Sequence, residues 1–254
     1  MARTWVLLRG LIREQRHWEG FDQRLQQRFP TDTVVTLDLP GNGELYRQAS
    51  PTRVEGMVAA LRGSLSQRGL RPPFHVVALS LGAMVAVSWM SDYPGEVAGA
   101  ALLNSSVARF NPFWQRLRPA NYGRILRDGL LGRDPLRKER AILAMTTNLL
   151  DDAGREQVAR RWATLARQSP VSTANALRQL LAAARFRAPI RLPTGVPVVV
   201  ISGGGDRLVD PACSRAMARG WGLPLHVHPE AGHDLTLDDG DWAAARLAEA
   251  FAPG

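Results

Sequence analysis

Residues 74–87 read FHVVALSLGAMVAV and combine two different patterns around Ser80. The six residues that end at Leu79 are apolar at nearly every position, which is typical of a strand buried on both faces of a sheet. After Ser80, the small residues Gly82 and Ala83 allow a tight turn from the strand into a helix. The stretch therefore predicts a strand, a sharp turn and a buried helix, with the serine hydroxyl exposed at the turn.

The same region could instead be a membrane span. Residues 72–91 carry no formal charge, and 20 such residues are long enough to cross a bilayer as a helix. Pro72, Pro73 and His75 interrupt the run, however, and its first half has the composition of a strand. We expect no membrane span.

Short apolar, β-branched runs recur along the chain with helical patterns between them. This alternation predicts an α/β protein with a mostly parallel sheet flanked by helices. The runs are residues 4–8, 33–37, 74–79, 98–103, 196–201 and 225–228, and the helices lie near 18–28, 51–68, 81–93, 211–220 and 240–252.

About 90 residues separate the fourth and fifth of these runs, and their pattern is helical. A structureless loop of that length is improbable, so we predict an inserted helical cap at residues 109–187, the cap segment, on a core formed by 1–108 and 188–254. Asp152 and Ser172 are plausible helix starts. The predicted helices of the cap segment cover 122–131, 135–150, 152–168 and 172–186.

The positive charge of the chain lies in the cap segment. The net charge is +9, and the cap segment holds 16 basic and 6 acidic residues, so the rest of the chain is nearly neutral. A basic patch attracts anionic partners, of which nucleic acid is the first to consider. No zinc-finger spacing, RNP motif or KH loop accompanies the charge, and we expect no nucleic-acid binding.

The cysteine and histidine content argues against disulfides and metals. Cys213 is the only cysteine, which excludes an intramolecular disulfide and favours a reducing compartment. His226 and His228 alternate at a strand end without a third ligand at suitable spacing. The apolar run at residues 5–8 is too short for a signal peptide, so we expect a cytoplasmic protein without a bound metal.

A serine hydroxyl is a weak nucleophile unless a base takes its proton, so Ser80 needs a histidine and an orienting acid. Asp206 and His233 each follow a predicted strand, at the sheet edge where α/β proteins place their sites. Asp210 is the alternative acid, although its position favours the start of the next helix.

From Thr4 to about Phe251 the chain resembles the α/β-hydrolases. Five segments carry the resemblance: the turn at 78–82, the two segments around Asp206 and His233, the loop at 38–43, and the loop at 7–11 with Trp18 downstream. The order Ser, Asp, His is that of the family.

The resemblance implies roles for five residues. Ser80 is the expected nucleophile, His233 the general base and then acid, and Asp206 the group that orients the imidazole. The backbone N–H groups of Leu11 and Leu81 are the expected oxyanion hole. No cofactor is implied.

Two positions depart from the family pattern. Ala78 stands where the turn usually has its first glycine, and Arg9 stands where the loop usually has a histidine. Arg9 either pairs with a structural acid, which we favour, or holds a substrate carboxylate.

These expectations favour a serine hydrolase that cleaves a carboxylic ester or thioester through an acyl-enzyme. A basic cap above such a triad resembles the carrier-protein methyl ester esterases of the family, which implies a small ester presented on an acidic carrier protein. Carbon–carbon hydrolysis, perhydrolysis and acyl transfer remain open, as does a non-catalytic protein that binds a small apolar ligand. Apolar residues of the cap segment either line an acyl pocket or pack as its own core: Phe113, Trp114, Met145, Leu149 and Trp162.

Overall fold

The computed structural model describes residues 2–130 and 132–252. Its centre is one sheet of six parallel strands in the order β2-β1-β3-β4-β5-β6. This arrangement confirms the predicted α/β class. The strands are β1 Thr4–Leu8, β2 Thr33–Leu37, β3 Phe74–Leu79, β4 Val97–Leu103, β5 Val198–Gly203 and β6 Leu225–His228.

Four strands match their predicted bounds, whereas β5 begins and ends two residues later than predicted. Pro197 has no N–H to donate, and its carbonyl accepts from Ala100 N just before the strand begins. At the other end, Ser202 and Gly203 still pair with β6. The predicted bounds 196–201 are therefore wrong by two residues at each end.

Helices connect the strands and flank the sheet. The predicted helix near 18–28 begins only at Phe21, because residues Gln15–Trp18 form a separate 3₁₀ turn. The helices are α1 Phe21–Arg28, α2 Val54–Gln67, α3 Leu81–Asp92, α4 Phe113–Arg116, α5 Tyr122–Arg124, α6 Pro135–Thr146, α7 Asp152–Gln168, α8 Thr173–Arg185, α9 Ala212–Trp221, α10 Leu235–Asp238 and α11 Gly240–Ala250.

Both faces of the sheet are buried. In β1, Val6 and Leu8 pack into one hydrophobic cluster with α2 and α3, whereas Trp5 and Leu7 pack into a second cluster with α1 and α11. Successive side chains of a strand point to opposite faces, so a strand covered on both sides is apolar at nearly every position. This explains the continuous apolar runs of the sequence.

The cap segment contains α4 to α8 and has a small core of its own, formed by Leu143, Val158, Ala159 and Trp162. Asp151, rather than the predicted Asp152, caps α7 by accepting from Gly154 N, whereas Ser172 caps α8 as predicted. The predicted helix at 122–131 is the short α5 followed by a π-helical turn, Ile125–Leu130. Residue 131 lies outside the described residues.

The predicted helix at 135–150 ends early, at Thr146. Beyond that point, the backbone N–H groups of Asn148 and Leu149 donate to the carboxylate of Asp238 instead of continuing the helical ladder. This contact ties the end of α6 to the core. In the described parts of the chain, no helix is both long and apolar enough to cross a membrane.

The strand order determines where a site can form. The chain leaves β1 towards β2 on one side and then returns to β3 on the other side of β1. The connections after β1 and β3 therefore diverge at the carboxyl edge of the sheet and leave a crevice between them, where α/β proteins bind ligands.

Candidate active site

Ser80 stands at the turn between β3 and α3, in the crevice. Its backbone has φ 56° and ψ −114°, a conformation that side-chain-bearing residues rarely adopt. The turn is held by two hydrogen bonds: Ser80 N donates to the carbonyl of Leu103, and Ser105 Oγ donates to the carbonyl of Ser80, both at 2.9 Å. The backbone is thus held in a strained form that presents the serine side chain at the sheet edge.

Gly82 allows this turn to pack against β1. A Cβ atom at this position would lie 2.6 Å from the carbonyl oxygen of Leu8 and 2.8 Å from that of Arg9, both backbone atoms that cannot move aside. The buried Ala78 is accommodated at the other side of the turn. Only glycine fits where α3 begins, which agrees with the small residue expected there.

His233 and Asp206 are in contact. His233 Nδ1 lies 2.7 Å from Asp206 Oδ2, and both side chains are buried. The other carboxylate oxygen, Oδ1, accepts from the backbone N–H groups of Leu208 at 2.8 Å and Val209 at 2.9 Å. Asp206 is therefore fixed, and it leaves His233 Nε2 to face away from the acid.

Asp210, the alternative acid, lies elsewhere. Its Oδ1 accepts from Ala212 N at 2.9 Å at the start of α9, and its Oδ2 is 3.8 Å from a nitrogen of Arg118. The structure therefore places Asp206, and not Asp210, beside the histidine.

Ser80 and His233 line the same cavity, whose volume is about 140 Å³. No hydrogen bond joins their side chains in the described structure. A nucleophile and its base are often loosely placed until substrate binds. The shared cavity therefore agrees with the roles expected for Ser80 and His233.

The loop after β1 supplies the opposite wall. A Cβ atom on Gly10 would lie 3.0 Å from Ser80 Cβ, so the loop touches the serine turn. Leu11 lines the cavity. Among the described residues, neither Leu11 N nor Leu81 N has a hydrogen-bond acceptor, so both expected oxyanion donors are available.

A buried glutamine of the cap segment holds this loop. Gln179 accepts from Ile12 N at 2.8 Å, and its amide nitrogen donates to Asn42 Oδ1 at 2.8 Å and to Ser50 Oγ at 3.1 Å. Ile12 has φ 53°, so the loop is held in an unfavourable conformation beside Leu11. The sequence pattern did not single out Gln179, because only the fold brings it to the loop.

Arg9 forms a buried ion pair with Asp234. Its guanidinium forms two hydrogen bonds to the carboxylate of Asp234, one of them at 3.0 Å, and it stacks over the ring of Trp18 at 4.9 Å. Arg9 and Asp234 are both buried. Its position agrees with the structural role that we favoured over binding of a substrate carboxylate.

The apolar residues considered for the acyl pocket have different positions. Met145 lines the cavity, and Phe113 lines a neighbouring cavity of about 270 Å³ that also reaches Ser80. Trp162 is in the core of the cap segment, while Trp114 and Leu149 are exposed and line neither cavity. Lining residues that sequence reasoning missed include Leu117, Ile125, Lys138, Ile142, Leu180 and Leu208.

The remaining candidates give no metal site. Within residues 2–130 and 132–252, no three His, Cys, Asp or Glu side chains are grouped so that they could hold a metal ion. His228 Nε2 instead lies 3.3 Å from Asp239 Oδ2. Burial raises the pKa of the Cys213 thiol to about 12, so this cysteine is a packing residue rather than a nucleophile.

A parallel sheet with a serine turn at its switch point and a buried histidine–aspartate pair at the same cavity is the arrangement expected of an α/β-hydrolase. In agreement, the sequence profile described as the alpha/beta hydrolase family matches residues 5–246, and the chain belongs to that family. Among individual relatives, the pimeloyl-(acyl-carrier protein) methyl ester esterase of Methylococcus capsulatus (strain Bath) is 31% identical over 255 residues, covering 97% of this chain and 94% of that protein. This match confirms the resemblance expected from the sequence.

Solved structures share the fold. The 2-hydroxy-6-oxo-6-phenylhexa-2,4-dienoate hydrolase of a Rhodococcus species has a TM-score of 0.78 at 21% identity, covering 99% of this chain and 91% of that one. An esterase from Thermogutta terrifontis has a TM-score of 0.76 at 20% identity, with coverages of 98% and 89%. These structures show the shared fold, while the family and the 31% identical esterase support a hydrolase.

Proposed function

We propose that this protein is a serine hydrolase that cleaves a carboxylic ester through an acyl-enzyme. The observation that carries the proposal is the 2.7 Å contact between His233 and Asp206 at the cavity that Ser80 lines. A neutral imidazole whose Nδ1–H is held by a buried carboxylate leaves Nε2 free to accept a proton. Ser80 lines the same cavity, and we propose that its hydroxyl gives up that proton.

The reaction has two halves. Ser80 Oγ attacks the ester carbonyl while its proton passes to His233 Nε2, and the N–H groups of Leu11 and Leu81 stabilise the resulting oxyanion. The tetrahedral intermediate then expels the alcohol, which takes the proton from His233. Water attacks the acyl-enzyme with His233 as base, and the acid and Ser80 are released. None of these steps needs a cofactor.

The cap segment contributes one wall of the cavity that contains Ser80. The cavity is lined by Gly10 and Leu79 of the core together with Ile142 and Met145 of α6. We therefore assign 109–187 as a lid on a core of residues 1–108 and 188–254, with substrate entering between them. The lid then sets the size of the acyl group, and a thioester, a carbon–carbon bond or another acyl acceptor would have to fit the same space.

Active-site labelling tests the proposal. Wild-type protein should react covalently with a fluorophosphonate probe and hydrolyse p-nitrophenyl esters from acetate to octanoate with a chain-length preference. Ser80→Ala should lose both. Ser202→Ala is the matched control, because Ser202 also precedes a glycine-rich turn but is buried away from the cavity.

Folded wild-type protein that neither labels nor turns over would contradict the hydrolase. Ligand binding that survives in Ser80→Ala without any turnover in the wild type would then favour the non-catalytic alternative.

The charge of the cap segment favours a more specific substrate. The relative from Methylococcus capsulatus is named for a methyl ester on an acyl-carrier protein, and the cap segment here holds 16 basic against 6 acidic residues. Arg133, Arg137 and Arg140 are exposed on or just before α6, whose other face lines the cavity. We propose that this surface docks an acidic carrier protein.

The carrier hypothesis has its own test. Hydrolysis of a carrier-linked methyl ester should fall steeply with added salt, because charge steering is screened over about 10 Å at 0.1 M salt, whereas hydrolysis of the free methyl ester should not. Reversing the charge of Arg133 and Arg137 should remove the difference. Equal rates and equal salt dependence for the two substrates would exclude the carrier while leaving the esterase intact.

A further inference from the structure

The cavity beside Ser80 contains more positive than negative charge. Among the described residues that line it, Asp234 is the one carboxylate, against four cations: Arg9, Arg13, Arg124 and Lys138. Two of the cations are already neutralised. Arg9 pairs with Asp234, and Arg13 pairs with the buried Glu139 at 2.7 Å. Lys138 and Arg124 form no ion pair with any residue that the structure describes.

Of these two cations, Lys138 is the less exposed to solvent. It is the only lysine in a chain with 32 basic residues, it lies on α6, and its side chain is half-buried. No described residue hydrogen-bonds to its ammonium. Burial is the largest influence on its pKa and lowers it, Arg13 lowers it further, and Glu139 opposes the shift.

Lys138 also lies between two cavities. It lines the mainly apolar cavity of Ser80 and a second, polar cavity of about 160 Å³ that includes Arg133 and Glu14. Apolar residues such as Ile142 and Met145 would contact an acyl chain in the first cavity. Lys138 lies where such a chain would reach the second, polar cavity. A partly desolvated cation without a counter-ion is stabilised by an anion that enters with the substrate.

We infer that Lys138, with Arg124 beside the same cavity, binds a carboxylate group of the substrate while the ester lies at Ser80. The inference rests on the proposed ester hydrolysis and adds a substrate class, esters that carry a negative charge. A lysine suits this task because its flexible stem delivers a point charge to anions of different shape. The competing interpretation is that the ammonium only extends to water.

Paired substrates of equal length test the inference. Monomethyl adipate and methyl hexanoate differ by a carboxylate on the acyl side, whereas the hexanoyl ester of glycolate and ethyl hexanoate differ by a carboxylate on the alcohol side. For each pair, the ratio of kcat/KM for the charged ester to that for the neutral ester is measured in four proteins: wild type, Lys138→Met, Lys138→Arg and Arg160→Met.

The control variant removes the same charge from the cap segment without touching either cavity. Arg160 is exposed on α7 and pairs with Glu156. Lys138→Met should lower the charged-to-neutral ratio about tenfold or more for at least one substrate pair, which is the effect of losing one charge-assisted hydrogen bond. Lys138→Arg should keep most of the ratio, and Arg160→Met should leave it unchanged. The affected pair identifies the side of the ester that carries the anion.

Equal ratios in wild type, Lys138→Met and Arg160→Met, with the neutral esters still turned over, would overturn the anion site and leave the proposed hydrolase standing. An equal decrease of the charged-to-neutral ratio in Arg160→Met and Lys138→Met would assign the effect to the overall charge of the cap segment. That result would also overturn the anion site. Absence of turnover and of fluorophosphonate labelling in the wild type would instead remove the hydrolase, and the substrate site with it.

Discussion

The side-chain nitrogen of Asn104 lies 2.7 Å from the backbone carbonyl oxygen of His233. The same nitrogen donates to Gly232 O at 3.0 Å, and Asn104 Oδ1 accepts from Gly203 N at 2.7 Å. Asn104 therefore joins the ends of β4 and β5 to the loop that carries His233. It follows β4 directly with φ 42°, a conformation that asparagine tolerates better than most residues.

We expect Asn104 to position His233, so its substitution should affect turnover more than substrate binding. In Asn104→Ala, two buried carbonyls and one N–H lose their partner, which costs about 1–3 kcal/mol in unfolding free energy. We expect kcat for a p-nitrophenyl ester to fall at least tenfold while KM changes little, because the imidazole loses its placement and the cavity does not.

Two further variants separate strain from hydrogen bonding at this position. Asn104→Gly relaxes the positive φ but restores no hydrogen bond, so it should be as slow as Asn104→Ala. Asn104→Asp still accepts from Gly203 N but cannot donate to His233 O. Wild-type kcat in the glycine variant would show that the contact has no part in placing the histidine.

Breaking the buried pair of Arg9 and Asp234 should cost more stability than breaking an exposed pair. Arg9→Met leaves a buried carboxylate without its partner and should lower the unfolding free energy by about 3–5 kcal/mol. The double variant Arg9→Met with Asp234→Leu should recover part of this loss, since neither charge is then buried alone.

Urea unfolding provides the measurement, and Arg24→Met provides the control. Arg24 pairs with Asp241 at 2.6 Å, but both side chains are largely exposed, so its loss should cost about 1 kcal/mol or less. A loss of similar size in Arg9→Met and Arg24→Met would argue against the structural role of Arg9.

Strain at Ser80 should appear as a gain in stability when it is released. Ser80→Gly removes the side chain from a position with φ 56°, and we expect it to be about 1 kcal/mol more stable than Ser80→Ala, although both lose labelling. The comparison is made by thermal and urea unfolding.

Ser91 supplies the matched comparison. It lies in the last turn of α3, where the backbone is helical, so Ser91→Gly should be less stable than Ser91→Ala by about 0.5–1 kcal/mol. The same sign at both positions would mean that the turn at Ser80 stores no strain.

His17 should make stability depend on pH. Burial, and then the charges of Arg13, Arg9 and Arg16, hold its pKa well below the usual value of 6.5, while a hydrogen bond with the backbone of Glu14 opposes the shift. Below pH 6.5 the unfolded chain binds a proton at this histidine that the folded protein does not bind. The unfolding free energy should therefore fall as the pH falls below 6.5 and be level in this respect above it.

The contribution is isolated by comparison with His17→Phe, which keeps a ring against Trp162 but does not titrate. Urea unfolding from pH 5 to 8 should give the wild type a steeper decline at low pH than the variant. Parallel curves would mean that His17 becomes protonated in the folded protein without a penalty.

Much of the fold could be predicted from local patterns. The runs at residues 4–8 and 74–79 are strands because continuous apolar, β-branched sequence suits only a doubly covered sheet. Boundaries failed where a distant residue competes for the backbone, as Asp238 does for Asn148 at the end of α6. Such long-range hydrogen bonds leave no periodic signal in the sequence.

By itself, the sequence predicted the candidate site residues and their order: Ser80 after one strand, Asp206 and His233 after two others, and a basic segment between. Only the tertiary structure decided which acid meets the histidine, that Arg9 is paired with Asp234, and that Lys138 lines the cavity with no ion pair to any described residue. The reason is physical. Local propensity acts between neighbours in the chain, whereas pairing, burial and charge balance depend on groups that come together only when the sheet and the cap segment pack.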